Sequence, residues 1–429
     1  MAPGIAEQSN ISLVGYHDLG GNPGLKLAMQ EVGGRWYLYT GHIWRPGWTA
    51  LDVTDPADPT VVWQETGPGD TWTHQVQVAD GFLVTGLDKP RPGWQPVGVD
   101  GPEYDPEAPH REGAYIWDVE TDPTDPTLLG HYETGGHGTH RNHYDGGEYV
   151  FMAARPDGYE GYHNYLLKVV DISDPEQPTE VGQWEAPGQH PDEEPPSEWS
   201  FVSTPGPLEE SYFHGPAYRD GDRAYLSYGR LGLVVLKVAN PESPEFLGRL
   251  DFGGLGSCLG THSAVPIPDS DHVVVNSEAI LERDRDSLNY VFLVDVSDPE
   301  RPRVVSSLPQ PTPADSLPYR NYYEKGGRFG PHNQHHYQGQ TCLWKPSSLV
   351  FVAYFNAGLR VFDISDPLSP REVGSFVPEN PSRRAGTLPD TLVTQFEDVL
   401  VDARGYIYCS TKNQGLFVLE HDRSFDGYA

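Results

Sequence analysis

Three histidines crowd the stretch GGHGTHRNH, residues 135–143. Imidazole is the commonest protein ligand for transition ions and the usual general base near neutral pH, so the stretch offers either chemistry. Taken alone it does not choose between them, because two histidines three apart also occur in solvated glycine loops. One of the three, His140, recurs in register elsewhere in the chain. HQVQVADGFLV (74–84), HRNHYDGGEYV (140–150) and HGPAYRDGDRAY (214–225) each place a histidine seven residues before the second residue of a DG or GG turn. HSAVPIPDSDHVVV (262–275) and HHYQGQTCLWKPSSLVFVAY (335–354) have the same form with longer turns. Two further segments put other residues there: Leu27 in LAMQEVGGRWYLY, and Glu397 or Asp398 in EDVLVDARGYIY.

Histidine makes up 17 of 429 residues, so five in one register are not an accident of composition. His74, His140, His214, His262 and His335 are therefore the candidate metal ligands, three or four of them binding directly. Clustered imidazoles repel one another when protonated and lack hydrogen-bond partners when neutral, and a cation resolves both problems. All-nitrogen ligation suits a transition ion, Fe or Cu foremost and Zn or Mn next, whereas Ca and Mg prefer oxygen. His137 and His332 each stand three residues before a register histidine and are expected in the loop above. There they are partners of the ligands, proton carriers or plain surface residues, and with Glu397 they form the candidate catalytic set. Arg141 is expected to make an internal salt bridge, and strand alternation turns His143 toward a blade interior.

These residues must be held by something, and a repeat supplies it. ALDVTDPADPTVV (50–62), IWDVETDPTDPTLLG (116–130), VVDISDPEQPTEVG (169–182), VLKVANPESPEFLG (235–248), LVDVSDPERPRVVS (293–306) and VFDISDPLSPREVG (361–374) share one design. Each is a β-branched run, a turn opened by an Asp side chain and punctuated by two prolines, and a second apolar run. A seventh unit begins at GLFVLEHD (415–422) and lacks its second run, while ISLVGYHDL (11–19) reads like that missing strand. The pattern predicts an all-β, seven-bladed propeller of four-stranded antiparallel blades over residues 1–429, closed by an N-terminal strand completing the last blade. The register histidines would start the innermost strands and converge on the axis. Long segments at 88–112, 185–213, 308–334 and 376–395 would lie as lids over the same mouth.

The D-[VI]-S-D-P-x-x-P units resemble the LVIVD-repeat family of bacterial and archaeal β-propellers, essentially along the full chain. That resemblance implies an architecture rather than an activity. In architecture alone, the axial histidines are similar to carotenoid cleavage oxygenases and to selenium-binding-protein (methanethiol oxidase) propellers. The first expectation is thus a metal-dependent oxidoreductase or oxygenase acting on a small apolar or aromatic molecule. The lid aromatics Trp44, Trp48, Trp72, Trp94, Trp199, Tyr319, Tyr322, Tyr323 and Phe329 suit such a pocket. A second is a non-redox lyase or hydrolase using the metal as Lewis acid, as in the His-bound Mn of oligogalacturonate lyases. A third is a non-enzymatic binding scaffold, against which the register of histidines argues.

Composition narrows the partners. A formal net charge of −33 repels phosphate backbones, so nucleic acid is not expected to bind. No apolar run is long enough to span a membrane, and MAPGIAEQSN lacks the pattern of a secretory signal, so a cytoplasmic location is expected. Cys258, Cys342 and Cys409 form no CxxC pair and are read as reduced thiols. Neither a G-x-S-x-G elbow nor a phosphate loop occurs.

Overall fold

A computed structural model describes residues 2–90, 109–159, 164–199, 213–252, 255, 257, 259–283 and 289–422. It contains seven four-stranded antiparallel sheets. Blade 1 comprises Leu27–Val32, Arg35–Gly41, Gly47–Asp52 and Thr60–Thr66; blade 2 comprises Val76–Ala79, Phe82–Leu87, Gly113–Asp118 and Thr127–Tyr132. Blade 3 is built from Gly138–His143, Tyr149–Arg155, Leu166–Asp171 and Thr179–Trp184. Ala217–Asp220, Arg223–Ser227, Leu233–Lys237 and Glu245–Leu250 make blade 4. Leu259–Pro266, His272–Glu278, Val291–Asp295 and Arg303–Ser307 make blade 5.

The last two blades hold both ends of the described chain. In blade 7, Ile11–His17 pairs with Gly415–His421 outside Tyr406–Thr411 and Phe396–Val401, which is the closure expected from the repeat. Blade 6 gains a strand that the repeat does not announce. Ile5–Ser9 pairs with Arg371–Pro378 outside Leu359–Asp363 and Leu349–Ala353. Its Glu7 carboxylate is bound by the buried Arg360 guanidinium at 3.0 Å, which ties the added strand to the blade interior. On the axial side of blade 6 the chain at 332–335 is not a regular strand. It is bridged to Leu349–Ala353 through Gln334 and Val352, with His332 N–H on Ala353 O and His335 N–H on Phe351 O.

The turn chemistry behaves as the side chains dictate. In five of the six full units the first Asp accepts the backbone N–H two residues on, at 2.8–2.9 Å: Asp52, Asp118, Asp171, Asp295 and Asp363. The blade 4 unit has Lys237 there and keeps only its second cap, from Asn240 to Glu242 N–H. The glycine ending several units has a packing reason. A Cβ on Gly182 would stand 2.4 Å from Pro241 O, and one on Gly248 2.4 Å from Pro299 O. Each glycine thus lets its outer strand lie against the proline turn of the next blade. Between the blades lie seven apolar clusters, one at each interface, from Phe151 with Leu226 between blades 3 and 4 to Leu38 with Leu400 between blades 1 and 7. A closed ring of such contacts fixes the axis on which the inner strands converge.

Of the expected lids, 308–334 and 376–395 are described in full, whereas 91–108 and 200–212 of the other two, with Trp94, lie outside the described residues, as do His163 and Cys258. Among the described residues the only α-helix is Tyr322–Lys325, and no helix is long and apolar enough to cross a membrane.

Candidate metal centre

Near the starts of three inner strands the chain departs from regular pairing. The register shifts between Thr139 and Asn142 in blade 3, between Leu259 and Ser263 in blade 5, and between Phe396 and Asp398 in blade 7. Each irregularity brackets a register residue: His140, His262 and Glu397. A bulge re-aims the side chain it contains, here toward the axis.

Five imidazoles follow one another around that axis. Ring centroids are 5.1 Å apart from His74 to His140, 4.7 Å from His140 to His214, 4.8 Å from His214 to His262 and 4.4 Å from His262 to His332. Imidazoles bound at right angles on one ion, with metal–nitrogen bonds of about 2.1 Å, have centroids about 4.5 Å apart. All five side chains are at least nine-tenths buried except His332, which is 12 % exposed.

Four of the five predicted ligands are brought together, and the fifth is not. The histidine expected from blade 6 was His335, but the ring is completed by His332. His335 is turned into the blade 6–blade 7 seam, where Nε2 donates to Trp344 O at 2.8 Å and Nδ1 accepts Val401 N–H at 3.1 Å. Both its nitrogens are committed to backbone groups, and burial pushes its pKa down to about 4. The physical reason is the irregular axial segment of blade 6, which presents the residue three positions earlier.

The strongest convergence is on Glu278, which closes the second strand of blade 5. His214 Nε2 and His262 Nε2 stand 3.8 and 3.6 Å from Glu278 Oε2, and His332 Nε2 stands 3.8 Å from Oε1. These separations exceed a hydrogen bond. They approach the roughly 3.4 Å between two ligands on a tetrahedral ion with bonds of about 2.1 Å.

Tautomers sharpen the point. His332 Nδ1 lies 2.6 Å from Glu397 O, an acceptor only, so Nδ1 carries the proton and Nε2 faces Glu278 with its lone pair. His262 Nδ1 meets His332 O at 3.1 Å and Ser263 Oγ at 2.9 Å, which directs its Nε2 lone pair inward in the same way. Burial, and then the nearby Arg141, holds His262 well below its usual pKa; burial, then Arg328 and Lys412, does the same for His332. Both rings are neutral at pH 7. Burial raises the Glu278 pKa, opposed by Arg328, whose Nη1 pairs with Oε1 at 2.7 Å.

A second carboxylate stands beside the other end of the arc. Asp88 Oδ2 is 2.9 Å from His140 Nδ1, and its Oδ1 accepts Tyr165 OH at 2.7 Å and Lys89 N–H at 3.0 Å. Ligand atoms of His74, Asp88 and His140 lie within 4.8 Å of one another, as do those of His214, His262 and Glu278.

The candidate catalytic residues separate. His332 belongs to the ring, stacked on Phe355 at 4.7 Å. Glu397 is behind it, paired with Lys412 Nζ at 2.6 Å and 3.6 Å from His332 Nδ1. Asp398 pairs instead with Lys26 of blade 1 at 3.1 Å. His137 is on the rim of blade 3, 3.2 Å from Arg155 and in ring contact with His110.

Arg141 makes no salt bridge among the described residues, contrary to expectation. It crosses the channel beneath the ring to Gly215 O, His262 O, Ser263 Oγ and Asn333 Oδ1. Nor does His143 turn into its blade, since its ring is 5.5 Å from that of His336 in blade 6, across the channel. Among the lid aromatics, Trp72 touches the ring, edge-on to His74 at 5.5 Å. Trp48, Trp199 and Tyr319 to Phe329 are packing residues of the blades.

Sequence reasoning missed Glu278, Asp88 and Arg328. The two carboxylates end second strands, a position that also carries His42, Arg155 and Lys412, so a polar residue after each inner hairpin was the available signal. Arg328 and His332 both arrive on the 308–334 segment, whose path no periodicity predicts.

Comparison with known proteins gives the fold a context. LVIVD repeats are matched at residues 159–185 and 349–377. No curated protein matches the chain. Among solved structures, the computationally designed Ika8 protein superposes with a TM-score of 0.48 at 11 % identity, over 96 % of this chain and 99 % of that one. Repeats and sheets agree: the chain is a seven-bladed β-propeller that carries LVIVD repeats.

Proposed function

We propose that the chain is a metal-dependent enzyme whose channel holds a transition ion on His214, His262, His332 and Glu278, with the neighbouring His140 and His74 completing the arc. The observation that carries this reading is the pair of imidazoles locked with their Nε2 lone pairs toward a buried carboxylate, at distances no hydrogen bond fills. Acceptors facing acceptors in a dry interior are costly unless a cation lies between them. The donor set of imidazoles with one carboxylate fits Fe or Cu, and also Zn or Mn. Such an ion would supply a redox centre or a Lewis acid. Around it Arg328 balances the charge of Glu278, Glu397 orients His332 through its carbonyl, and Phe355, packed between His332 and Arg328, and Trp72, edge-on to His74, make the surround apolar, which suits a small apolar or aromatic molecule.

The preferred reaction class is an oxidoreductase or oxygenase. One observation favours the non-redox alternative, a lyase or hydrolase. Lys412, paired with Glu397 at 2.6 Å behind His332, places an amine near the centre as a candidate proton carrier, and burial and then Arg328 push its pKa down to about 8. Elemental analysis of the gently purified protein separates the readings. Fe or Cu bound to the chain supports the oxidoreductase, whereas Zn or Mn supports the lyase or hydrolase. Absence of any bound transition metal, unchanged on adding Fe, Cu, Zn or Mn to the folded protein, overturns both and leaves a binding scaffold.

A further inference from the structure

The five histidines of the ring do not share one carboxylate. His214, His262 and His332 surround Glu278, whereas His74 and His140 stand with Asp88. The two groups have one construction. In each, histidines that begin the inner strands of neighbouring blades meet a carboxylate at the end of a second strand. Asp88 follows Phe82–Leu87 in blade 2, and Glu278 closes His272–Glu278 in blade 5.

We propose that the channel binds two transition ions side by side, one on Glu278 with His214, His262 and His332, the other on Asp88 with His74 and His140. This deepens the reading above and rests on it for the first ion alone. Two histidines and one carboxylate are a sufficient protein donor set for Fe(II) or Zn, with the remaining positions open to water or substrate.

One contact in the second group has the spacing of a site. The 2.9 Å between His140 Nδ1 and Asp88 Oδ2 is a hydrogen-bond length. It is also the roughly 3.0 Å expected of two ligands at right angles on one ion with bonds of about 2.1 Å. Tyr165 and Lys89 bind Asp88 through Oδ1, which fixes the carboxylate plane with Oδ2 against His140 Nδ1. All three ligands are buried, and their donor atoms lie within 4.8 Å of one another.

The two carboxylates serve different histidines: Asp88 lies against His140, whereas Glu278 stands among His214, His262 and His332. One ion is assigned to each carboxylate on that division. The groups nevertheless adjoin, since the His140 and His214 rings are 4.7 Å apart. Adjacent ions act as a clamp on a ligand that offers two donor oxygens, such as a carboxylate. That chemistry is the substrate class to which the pair points.

The test uses the full chain stripped with a chelator and titrated with Co(II), reading stoichiometry by calorimetry and by the visible absorption of bound Co(II). Two ions per chain are expected. Asp88→Asn and His74→Gln should each lower the count to one, while Glu278→Gln should leave the Asp88 ion in place. Saturation at one ion, or two ions unaffected by both Asp88→Asn and His74→Gln, overturns the second site and leaves the first reading standing. No Co(II) binding at all overturns both. Far-UV circular dichroism confirms the fold of each variant, and His74→Gln reports on the same half if Asp88→Asn does not fold.

Discussion

One channel contains two groups of histidines, and they are built differently. At the lid face, His262 and His332 donate from Nδ1 to backbone carbonyls and turn their Nε2 lone pairs on Glu278. Toward the opposite face, His143 and His336 meet Tyr218 with rings 4.6–5.5 Å apart. There the tautomer runs the other way. His336 Nδ1 accepts Gln338 N–H at 3.2 Å, so its Nε2 carries a proton and cannot ligate. The nearby carboxylate, Asp145, is bound to Arg219 at 3.1 Å and stands 3.7 Å from His143. Side-chain polar atoms of His143, Tyr218 and Gln338 have no protein hydrogen-bond partner among the described residues, which is a surface for water. Arg141 crosses the channel between the two groups. Burial is therefore shared by both groups, and the backbone acceptor behind Nδ1 of His262 and His332 is what turns a lone pair, rather than a proton, toward the carboxylate.

The sharpest way to break this comparison is to remove histidines from each end. His262→Ala with His332→Ala is expected to weaken transition-metal binding at least about 100-fold, since each ligand and its orienting partner matter on that scale. His143→Ala with His336→Ala should leave the metal content unchanged. Elemental analysis of both proteins decides it, and equal losses would erase the distinction.

The boundary between the groups comes next. Arg141→Met removes several buried charge-assisted hydrogen bonds and leaves His262 O, Gly215 O and Asn333 Oδ1 short of a donor. A loss of roughly 3 kcal/mol in unfolding free energy is expected, read by denaturant titration. A neutral result would show that Arg141 is not a structural divider.

A smaller, pH-dependent effect concerns the histidine that the register misplaced. His335 and His42 are pushed down to about 4, mainly by burial. Their folded pKa values lie below the unfolded one, so between pH 6.5 and 4 the unfolded chain takes up protons that the folded chain refuses. Stability should fall as pH falls through that window, by about 1.4 kcal/mol per pH unit for each such group. Chemical denaturation at pH 7 and pH 5 measures the slope in metal-free protein. His335→Gln should remove its share of the slope, whereas a slope unchanged by that substitution would place the titration elsewhere.

Much of the fold is legible in the sequence. Each D-P-x-x-P turn is made by its own side chains, and the Asx caps at Asp52, Asp118, Asp171, Asp295 and Asp363 form as local chemistry requires. Repeating that turn fixes the blades, and four of the five ring histidines follow from counting back from the neighbouring hairpin. These are short-range relations, carried by residues close together in the chain.

Only the tertiary structure chose His332 over His335, because an irregular segment, rather than a strand, faces the axis in blade 6. Only ring closure brought Glu278 to His214 and His332, and Asp88 to His140, since their meeting depends on how blades 2 to 6 are rotated about one axis. The sequence by itself determined which histidines stand at the start of the inner strands of blades 2 to 5. Which nitrogen of each ring carries the proton was decided by carbonyls contributed from elsewhere in the chain, such as Glu397 O behind His332, and those neighbours exist only in the folded ring.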